Sequence, residues 1–182
     1  MLYVRAHRNP LPQTAAMNST DEDWESRLAS LWRSLDTTDE VAFLARIDAI
    51  VEELPQGSAV GLFERGAAQD STGHSDLAVP LYKAALEAGL GGLRRRRAVI
   101  QMSSSLRNLG AAKQAAELLN AELAAGSDEL DGAVRAFLAL ALVDLGRERE
   151  AVAVTLMALS SYLPRYNRSV ARYASELLPT AP

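Results

Sequence analysis

Residues 103–118 read SSSLRNLGAAKQAAEL, and this stretch decides how the chain folds. Its composition favours a helix before Gly110 and a second helix after it, because Ala and Leu lose little free energy on entering a helix. Gly110 suits the left-handed end of a helix, which costs other residues about 1 kcal/mol or more. Ser103 lies seven residues before the glycine, and Ala115 and Leu118 lie five and eight residues after it. The stretch therefore predicts a helical hairpin whose helices approach closely at small side chains.

The same pattern recurs along the chain at a spacing of 36 or 37 residues. Gly73 and Gly146 occupy the position of Gly110, and Asp36 stands at an earlier, weaker turn. A fixed period of this length predicts a repeat protein, in which each unit buries its apolar face against its neighbours. Small residues precede the four turns at Ala29, Gly66, Ser103 and Ala139, and aliphatic residues follow them at Leu44, Leu81, Leu118 and Val154.

The composition agrees with an all-α fold and excludes several classes of protein. The 182 residues include 32 Ala and 28 Leu but 14 Val and Ile together, which disfavours a β-sandwich or a parallel sheet. The chain has no cysteine, so disulfide frameworks, thiolate metal sites and cysteine nucleophiles are excluded. A net charge of -4 argues against a dedicated nucleic-acid binder, although 17 of the 19 basic residues are Arg. No apolar run is long enough to predict a membrane span.

Several motifs resemble those of the tetratricopeptide repeat family. The resemblance covers residues 59–163 and, more weakly, 21–56, although the repeat is two or three residues longer than the family's 34. It implies an all-α, right-handed solenoid of helical hairpins with a C-terminal capping helix, and no established activity. The Lys and Asn pairs that bind a chaperone's C-terminal carboxylate in some members do not appear at the matching positions. The motifs typical of the family are Leu109-Gly110 with Ala115, Leu145-Gly146 with Ala151, and Ala78, Tyr82 and Ala85. Four further blocks are similar to those of a small bacterial group-5 subfamily: Phe63–Gly66, Asp70–Gly73, Ser103–Gly110 and Pro164–Ser169.

Four segments follow from this pattern. We expect a disordered tail over residues 1–16, a degenerate hairpin over 17–56, three repeats over 57–163, and a capping helix and tail over 164–182. In the degenerate hairpin, the spacing of Trp24, Leu28, Leu31 and Leu35 predicts core residues, and the alternative is a seam for a partner helix. Thr37 with Glu40 is predicted to form a capping box, and Asp76 is predicted to cap the helix after Gly73. The C-terminal capping helix is predicted to bury an apolar stripe of Val170, Tyr173, Ala174, Leu177 and Leu178.

Motifs for chemistry are missing from the sequence. It contains no phosphate-binding GxxxxGK[ST] loop, no GxSxG and no HExxH. His74 follows Ser71 and precedes Asp76, but neighbours on one turn do not form a catalytic triad, and two ligands do not close a metal site. We therefore expect no catalytic residue, no metal site and no cofactor.

The run Arg94-Arg95-Arg96-Arg97 is unusual because four like charges repel one another at a helix start, where the dipole favours acids. Pairing with Glu52, Glu53, Glu87 or neighbouring carboxylates would offset this repulsion. The alternatives are an acidic protein partner or a phosphate backbone. A second basic stripe, Arg165, Arg168 and Arg172, is either a solvated helix face or an anion-facing edge that includes Tyr166 and Asn167.

In proteins of the resembled family, the first helix of each repeat lines a concave groove that holds a peptide. This register implies a non-catalytic, cytoplasmic module that binds a peptide or partner protein. The alternative is a scaffold that self-associates, for example as a homodimer, through the apolar end of the groove. For Arg107, the alternative to peptide binding is a bracing ion pair with Asp70 or Asp144. The groove residues predicted on this basis are Phe63, Glu64, Asp70, Arg97, Gln101, Ser104, Arg107, Asn108 and Phe137.

Overall fold

The computed structural model describes residues 19–178, and this part of the chain contains nine α-helices, one short 3-10 helix and no strand. The predicted tail over residues 1–16 lies outside the described residues. The 3-10 helix, Leu35–Thr37, occupies the weak first turn. The α-helices are α1 (Ser19–Arg33), α2 (Glu40–Val51), α3 (Ala59–Ser71), α4 (Ser75–Glu87), α5 (Gly92–Asn108), α6 (Ala112–Ala125), α7 (Asp131–Asp144), α8 (Glu148–Ser160) and α9 (Asn167–Ser175).

The predicted glycine turns are confirmed. Gly73, Gly110 and Gly146 have φ angles of +92°, +82° and +68°, in the left-handed region that favours glycine. The residue after each glycine donates its amide to the carbonyl five residues earlier, as in the bond of 2.8 Å from Ala111 to Leu106. This bond satisfies a carbonyl that the end of the helix would otherwise leave unpaired.

Small residues sit where the helices of a repeat hairpin approach each other. A Cβ on Gly66 would lie 3.0 Å and 3.1 Å from two atoms of the Tyr82 ring on α4. Ser103 is 1% exposed and donates its hydroxyl to the Val99 carbonyl, and Ala139 is also buried. Ala29, at the same position of the first hairpin, is exposed. The close approach predicted there is therefore absent, in keeping with the degenerate character of that unit.

The helices stack as consecutive hairpins, α3–α4, α5–α6 and α7–α8, each packed against the next. The first helices of neighbouring hairpins also contact each other, α3 with α5 and α5 with α7. Within the described residues the second helices α4, α6 and α8 make no comparable contact with one another. The solenoid thus places α3, α5 and α7 in one inner layer, as a tetratricopeptide-like fold requires.

The core consists of two clusters. The larger runs through α3 to α8, from Phe63 to Ala151. The smaller joins α1 to α2 and contains Trp24 and Leu28, which confirms these two predicted core residues, while Leu31 and Leu35 are half-buried against it. Trp24 also donates its indole N–H to a backbone carbonyl at the end of α2, 2.8 Å away.

Two predicted helix caps are wrong. Asp39 caps α2 by accepting a hydrogen bond of 3.0 Å from the amide of Ala42. Thr37 instead donates its hydroxyl to the Ser34 carbonyl within the 3-10 turn, so it cannot form the predicted capping box. At α4 the N-cap position falls on His74, and Asp76 lies inside the first turn without capping the helix.

The last helix, α9, begins three residues after the start of the predicted capping segment of residues 164–182 and ends at Ser175. Tyr166 begins it with a φ of +65°, and it is the one non-glycine residue of the described chain with a positive φ. Ala174 is buried as predicted, but Tyr173 is 54% exposed and does not belong to the buried stripe. Helix α9 packs against α8. The segment after α9 lies near the start of α8, where the Arg149 guanidinium donates a hydrogen bond to the Leu177 carbonyl.

Candidate functional site

The predicted site residues lie on α3, α5 and α7, the helices of the inner layer. We call the inner surface of these three helices the groove. Its middle is formed by α5, which contacts α3 on one side and α7 on the other. Within the groove, the predicted residues differ strongly in exposure, and this difference separates residues that could touch a partner from residues that support them.

Arg97 is the exposed cation of the groove. Its guanidinium lies 5.1 Å from the centroid of the Phe63 ring, in cation–π geometry. Phe63 itself is fully buried, so it forms the floor beneath Arg97 and offers no surface to a ligand. No carboxylate of the described chain lies within ion-pairing distance of Arg97, which leaves its donors available for an acceptor from outside.

Gln101, Ser104 and Asn108 follow Arg97 along α5. Gln101 and Ser104 are half-buried and Asn108 is exposed. The side-chain oxygen of Gln101 is buried without a hydrogen-bond partner in the described chain. Asn108 makes a long contact of 3.4 Å with the hydroxyl of Ser75. These positions offer amide and hydroxyl groups at helical spacing, which suits the backbone of an extended peptide.

Arg107 is already paired. Its guanidinium lies 3.2 Å from a carboxylate oxygen of Asp144 on α7, so it links the neighbouring first helices α5 and α7. Asp70, the other predicted ion-pair partner of Arg107, instead accepts hydrogen bonds from Ser105 and Tyr82. The pair matches the bracing interpretation of Arg107, while the Nε atom of the same guanidinium stays buried without an acceptor.

Asp70 is half-buried on α3 between its two neighbouring helices. One carboxylate oxygen accepts a bond of 2.7 Å from the Ser105 hydroxyl on α5, and the other lies 3.4 Å from the Tyr82 hydroxyl on α4. Burial raises the pKa of Asp70, and the two hydroxyl donors oppose this effect in part. Burial beside this carboxylate also raises the pKa of Tyr82. Asp70 therefore serves mainly to join three helices.

Glu64 is a buried carboxylate, only 1% exposed, and so contributes nothing to the groove surface. It accepts bonds of 2.9 Å from the Trp32 indole N–H on α1 and from the Nε of Arg94 on α5. The other two donor nitrogens of Arg94 bind both carboxylate oxygens of Glu25 on α1, at 2.8 Å and 2.6 Å. This network ties the first hairpin to the repeats.

Arg95 and Arg96 point the other way, toward α6 and α7. Arg95 lies 2.6 Å from Glu122, and the buried guanidinium of Arg96 lies 3.0 Å from Asp128 and 2.6 Å from Asp131. Hydrogen bonds from the Ser127 hydroxyl, the Asp128 amide and the Arg96 guanidinium lower the pKa of Asp131 to about 2. Ion pairing of the arginine run is therefore confirmed for its first three members. The predicted partners Glu52, Glu53 and Glu87 are wrong, and Glu53 instead binds Arg27.

Two partners of the groove helices, Trp32 and Glu25, were not predicted from the sequence. Trp24, Leu28 and Trp32 recur at a spacing of four residues, and this signal could have placed Trp32 on the packed side of α1. Nothing in the sequence pairs Glu25 with Arg94, because 69 residues separate them.

The α7 end of the groove is apolar. Phe137 is half-buried against the core, whereas Leu140 and Val143 are 45% and 48% exposed. A cleft of about 490 Å³ opens between α7 and α8. We call it the α7–α8 cleft; its lining includes Ala136, Leu140, Val143, Val152, Thr155 and Leu156.

Other chemistry is sparse in the described part of the chain. Residues 19–178 contain no group of three His, Asp or Glu side chains placed to hold a metal ion. No helix among them is long and apolar enough to cross a membrane. The basic stripe of Arg165, Arg168 and Arg172 is exposed, and Arg172 stacks on the ring of Tyr173 at 4.7 Å.

Comparison with known proteins gives one result. A family model described as "Tetratrico peptide repeat" matches residues 59–177, about two thirds of the chain. Neither the curated proteins nor the solved structures gave a match. The matched range begins at the first residue of α3 and extends beyond α9, so it includes every helix of the groove.

Proposed function

Because the chain belongs to the tetratricopeptide repeat family, we propose that it is a non-catalytic interaction module whose groove binds an extended peptide segment of a partner protein. Domains of this family generally mediate protein–protein interactions. The observation that carries the proposal is Arg97, an exposed guanidinium held over the buried Phe63 ring without a carboxylate partner in the described chain.

The bound segment would present carboxylate or backbone carbonyl oxygens to Arg97. A guanidinium binds a carboxylate through two parallel hydrogen bonds, and packing on Phe63 limits the freedom that Arg97 would lose on binding. Gln101 and Ser104, one and two turns further along α5, would bind the peptide backbone. Apolar side chains of the segment would lie toward Leu140 and Val143, where the groove is uncharged.

Selection from a phage-displayed library of random peptides tests the proposal. The selected peptide would then be titrated by fluorescence anisotropy against the wild-type chain and two variants. We expect Arg97→Ala to weaken binding by about tenfold or more, since it removes a charged contact near the centre of the groove. Arg46→Ala changes an exposed arginine on α2, away from the groove, and should leave binding unchanged.

Two results would contradict groove binding. One is a library from which no peptide is enriched over an unrelated control protein. The other is a selected peptide that binds Arg97→Ala as well as it binds the wild-type chain, when both proteins have the same melting temperature.

Self-association is the second candidate function, and the α7–α8 cleft favours it. Three large hydrophobic residues that line the cleft, Leu140, Val143 and Val152, are 45%, 48% and 50% exposed. Concentration of exposed apolar side chains in one patch is typical of an interaction surface. Sedimentation velocity at several protein concentrations tests this candidate, because a reversible dimer shifts to a higher sedimentation coefficient as the concentration rises.

A further inference from the structure

The α7–α8 cleft is the surface that the next repeat covers in the earlier hairpins. Each lining residue has an equivalent one repeat earlier in α5–α6, 36 residues before it, and two repeats earlier in α3–α4, 73 residues before it. Val152 is 50% exposed, whereas Val79 and Ala116 at the same repeat position are 7% and 3% exposed. Leu140 is 45% exposed, whereas Ala67 is 1% exposed and Ser104 is half-buried. Among residues 19–178, no helix covers the cleft as the following repeat covers its counterparts.

The covering helix in each earlier hairpin is the first helix of the following repeat. Helix α5 packs on α3 and α4, and α7 packs on α5 and α6. Helix α9 stands at the same place in the sequence, but no α9 residue lines the cleft. Instead α9 lies on another side of α8. Ala153 there is fully buried, whereas Pro80 and Glu117 at the same position of α4 and α6 are exposed.

The first helix of another copy does not match the cleft. The side of α1 that faces solvent carries Glu22, Asp23, Ser26 and Ser30. A polar helix face in this apolar cleft would leave charges and hydroxyls buried without partners. Head-to-tail stacking of copies is therefore disfavoured. Exposed apolar side chains of the described chain do lie at the cleft itself, where Leu140, Val143 and Val152 form its walls.

We propose that a second copy of this chain covers the cleft, with the two α7–α8 hairpins packed across a two-fold axis. This inference deepens the second candidate function and rests on it, because it names the surface and geometry of self-association. A patch that contacts its own copy gives a closed dimer, the commonest form of soluble oligomer. Leu140 and Val143 of each copy would enter the cleft of the other.

Charge at the two ends of the hairpin agrees with this arrangement. When the two-fold axis is perpendicular to α7 and passes beside its middle, the two α7 helices run antiparallel. Arg135, near the start of α7, lies beside the cleft, in a neighbouring cavity that it lines with Tyr162 and Ala171. In the antiparallel arrangement its long side chain would reach Glu148 of the other copy, which lines the far end of the cleft. Arg135 has a weak pair with Asp131 at 3.4 Å, and Glu148 is exposed. Two Arg135–Glu148 pairs would therefore form around the apolar contact.

Sedimentation velocity of the full chain and its variants, from micromolar to submillimolar concentration, tests the inference. We expect the wild-type chain to dimerise reversibly, and Leu140→Glu and Val152→Glu to stay monomeric, because each places a charge in the apolar contact. Val41→Glu is the matched control, since Val41 is 77% exposed on α2 outside the cleft, and it should dimerise like the wild-type chain. Circular dichroism melts would identify any variant that fails to fold.

A charge exchange tests the two-fold geometry even if a glutamate variant unfolds. Glu148→Arg or Arg135→Glu alone should raise the dimer dissociation constant by about tenfold, since each places like charges together twice. The double variant should restore dimerisation. Absence of restoration would overturn the proposed geometry.

The remaining outcomes separate the inference from the function on which it rests. A dimer that persists in Leu140→Glu and in Val152→Glu would overturn the cleft contact and leave self-association standing. A wild-type chain that is monomeric at every concentration would overturn both.

Discussion

Asp70 shows how the surroundings of a single side chain set its contribution to stability. Its carboxylate joins α3 to α4 and α5 through Tyr82 and Ser105, but burial makes the charged form unfavourable and raises its pKa. A carboxyl whose pKa is higher in the folded than in the unfolded state favours folding when it is protonated. This contribution is lost as the pH rises from the ordinary value of 3.8 through the raised pKa.

Asp70→Asn should therefore be at least as stable as the wild-type chain at pH 7. Each unit by which the pKa is raised lowers stability at neutral pH by about 1.4 kcal/mol, and an amide avoids this cost while it can still bond to Ser105 and Tyr82. Urea unfolding from pH 4 to 7 measures the effect, and the fall in stability with rising pH should be smaller in the variant.

The matched control for this prediction is Glu117→Gln, because Glu117 is an exposed carboxylate on α6. It should change the pH dependence very little. If Asp70→Asn unfolds at lower urea than the wild-type chain at pH 7, the charged carboxylate stabilises the three-helix junction and the expected sign is wrong.

The start of α5 shows how one element can hold its neighbours together. Arg94 binds Glu25 and Glu64, Arg95 and Arg96 bind acids of α6, α7 and the loop between them, and Arg97 stacks on Phe63. Four neighbouring arginines on a helix point in different directions, so each meets a different part of the solenoid. The mutual repulsion that the sequence indicates is offset by these contacts.

Arg94→Gln should release α1 before the rest of the chain unfolds. It leaves the buried Glu64 carboxylate without its guanidinium, and breaking such a pair costs about 3 kcal/mol or more. Both tryptophans of the chain lie in α1, so tryptophan fluorescence reports on the packing of this helix against α2 and α3. In urea, the fluorescence transition should move to a lower concentration than the loss of helix measured by circular dichroism.

Arg95→Gln is the control from the same run. Arg95 is half-exposed, and its partner Glu122 would still have the Arg96 guanidinium 3.8 Å away as a second cation. The loss of folding stability should therefore be about 1 kcal/mol or less. Fluorescence and helix content should then change together. Identical unfolding curves for Arg94→Gln and Arg95→Gln would show that the bonds to Glu25 and Glu64 do not hold α1.

Across the whole molecule, stability should be highest in the middle of the solenoid. The larger core cluster is continuous from α3 to α8, whereas the smaller one joins α1 and α2 and includes Ala68 of α3. In a solenoid each unit is stabilised mainly by its neighbours, and within the described residues the α1–α2 hairpin packs against repeats on one side.

Hydrogen exchange followed by mass spectrometry tests this gradient. After correction for intrinsic rates, amides of α1 should exchange at least about tenfold faster than those of α5, because local opening of a terminal unit exposes less apolar surface. The Arg94→Gln substitution should speed exchange in α1 and leave α7 unchanged. Equal protection of α1 and α5 would mean that the chain opens as a single cooperative unit.

The sequence by itself determined the class of fold, the period of the repeat and the places where hairpins turn. These features depend on interactions within about one repeat: helical spacing of apolar residues, small residues at the crossings, and a left-handed glycine such as Gly110 at the helix ends. Ser103 and Gly66 could be placed at close contacts for the same reason.

Only the tertiary structure decided which side chains remain exposed and which distant charges meet. The register placed Phe63 and Glu64 in the groove with Arg97, but neighbouring helices bury the first two and leave Arg97 open. Arg94 meets Glu25 because the stacked hairpins bring α1 and α5 together, and α9 leaves the α7–α8 cleft uncovered because it packs on another side of α8. A periodic pattern defines the face of a helix, but burial of that face depends on contacts between segments far apart in the sequence.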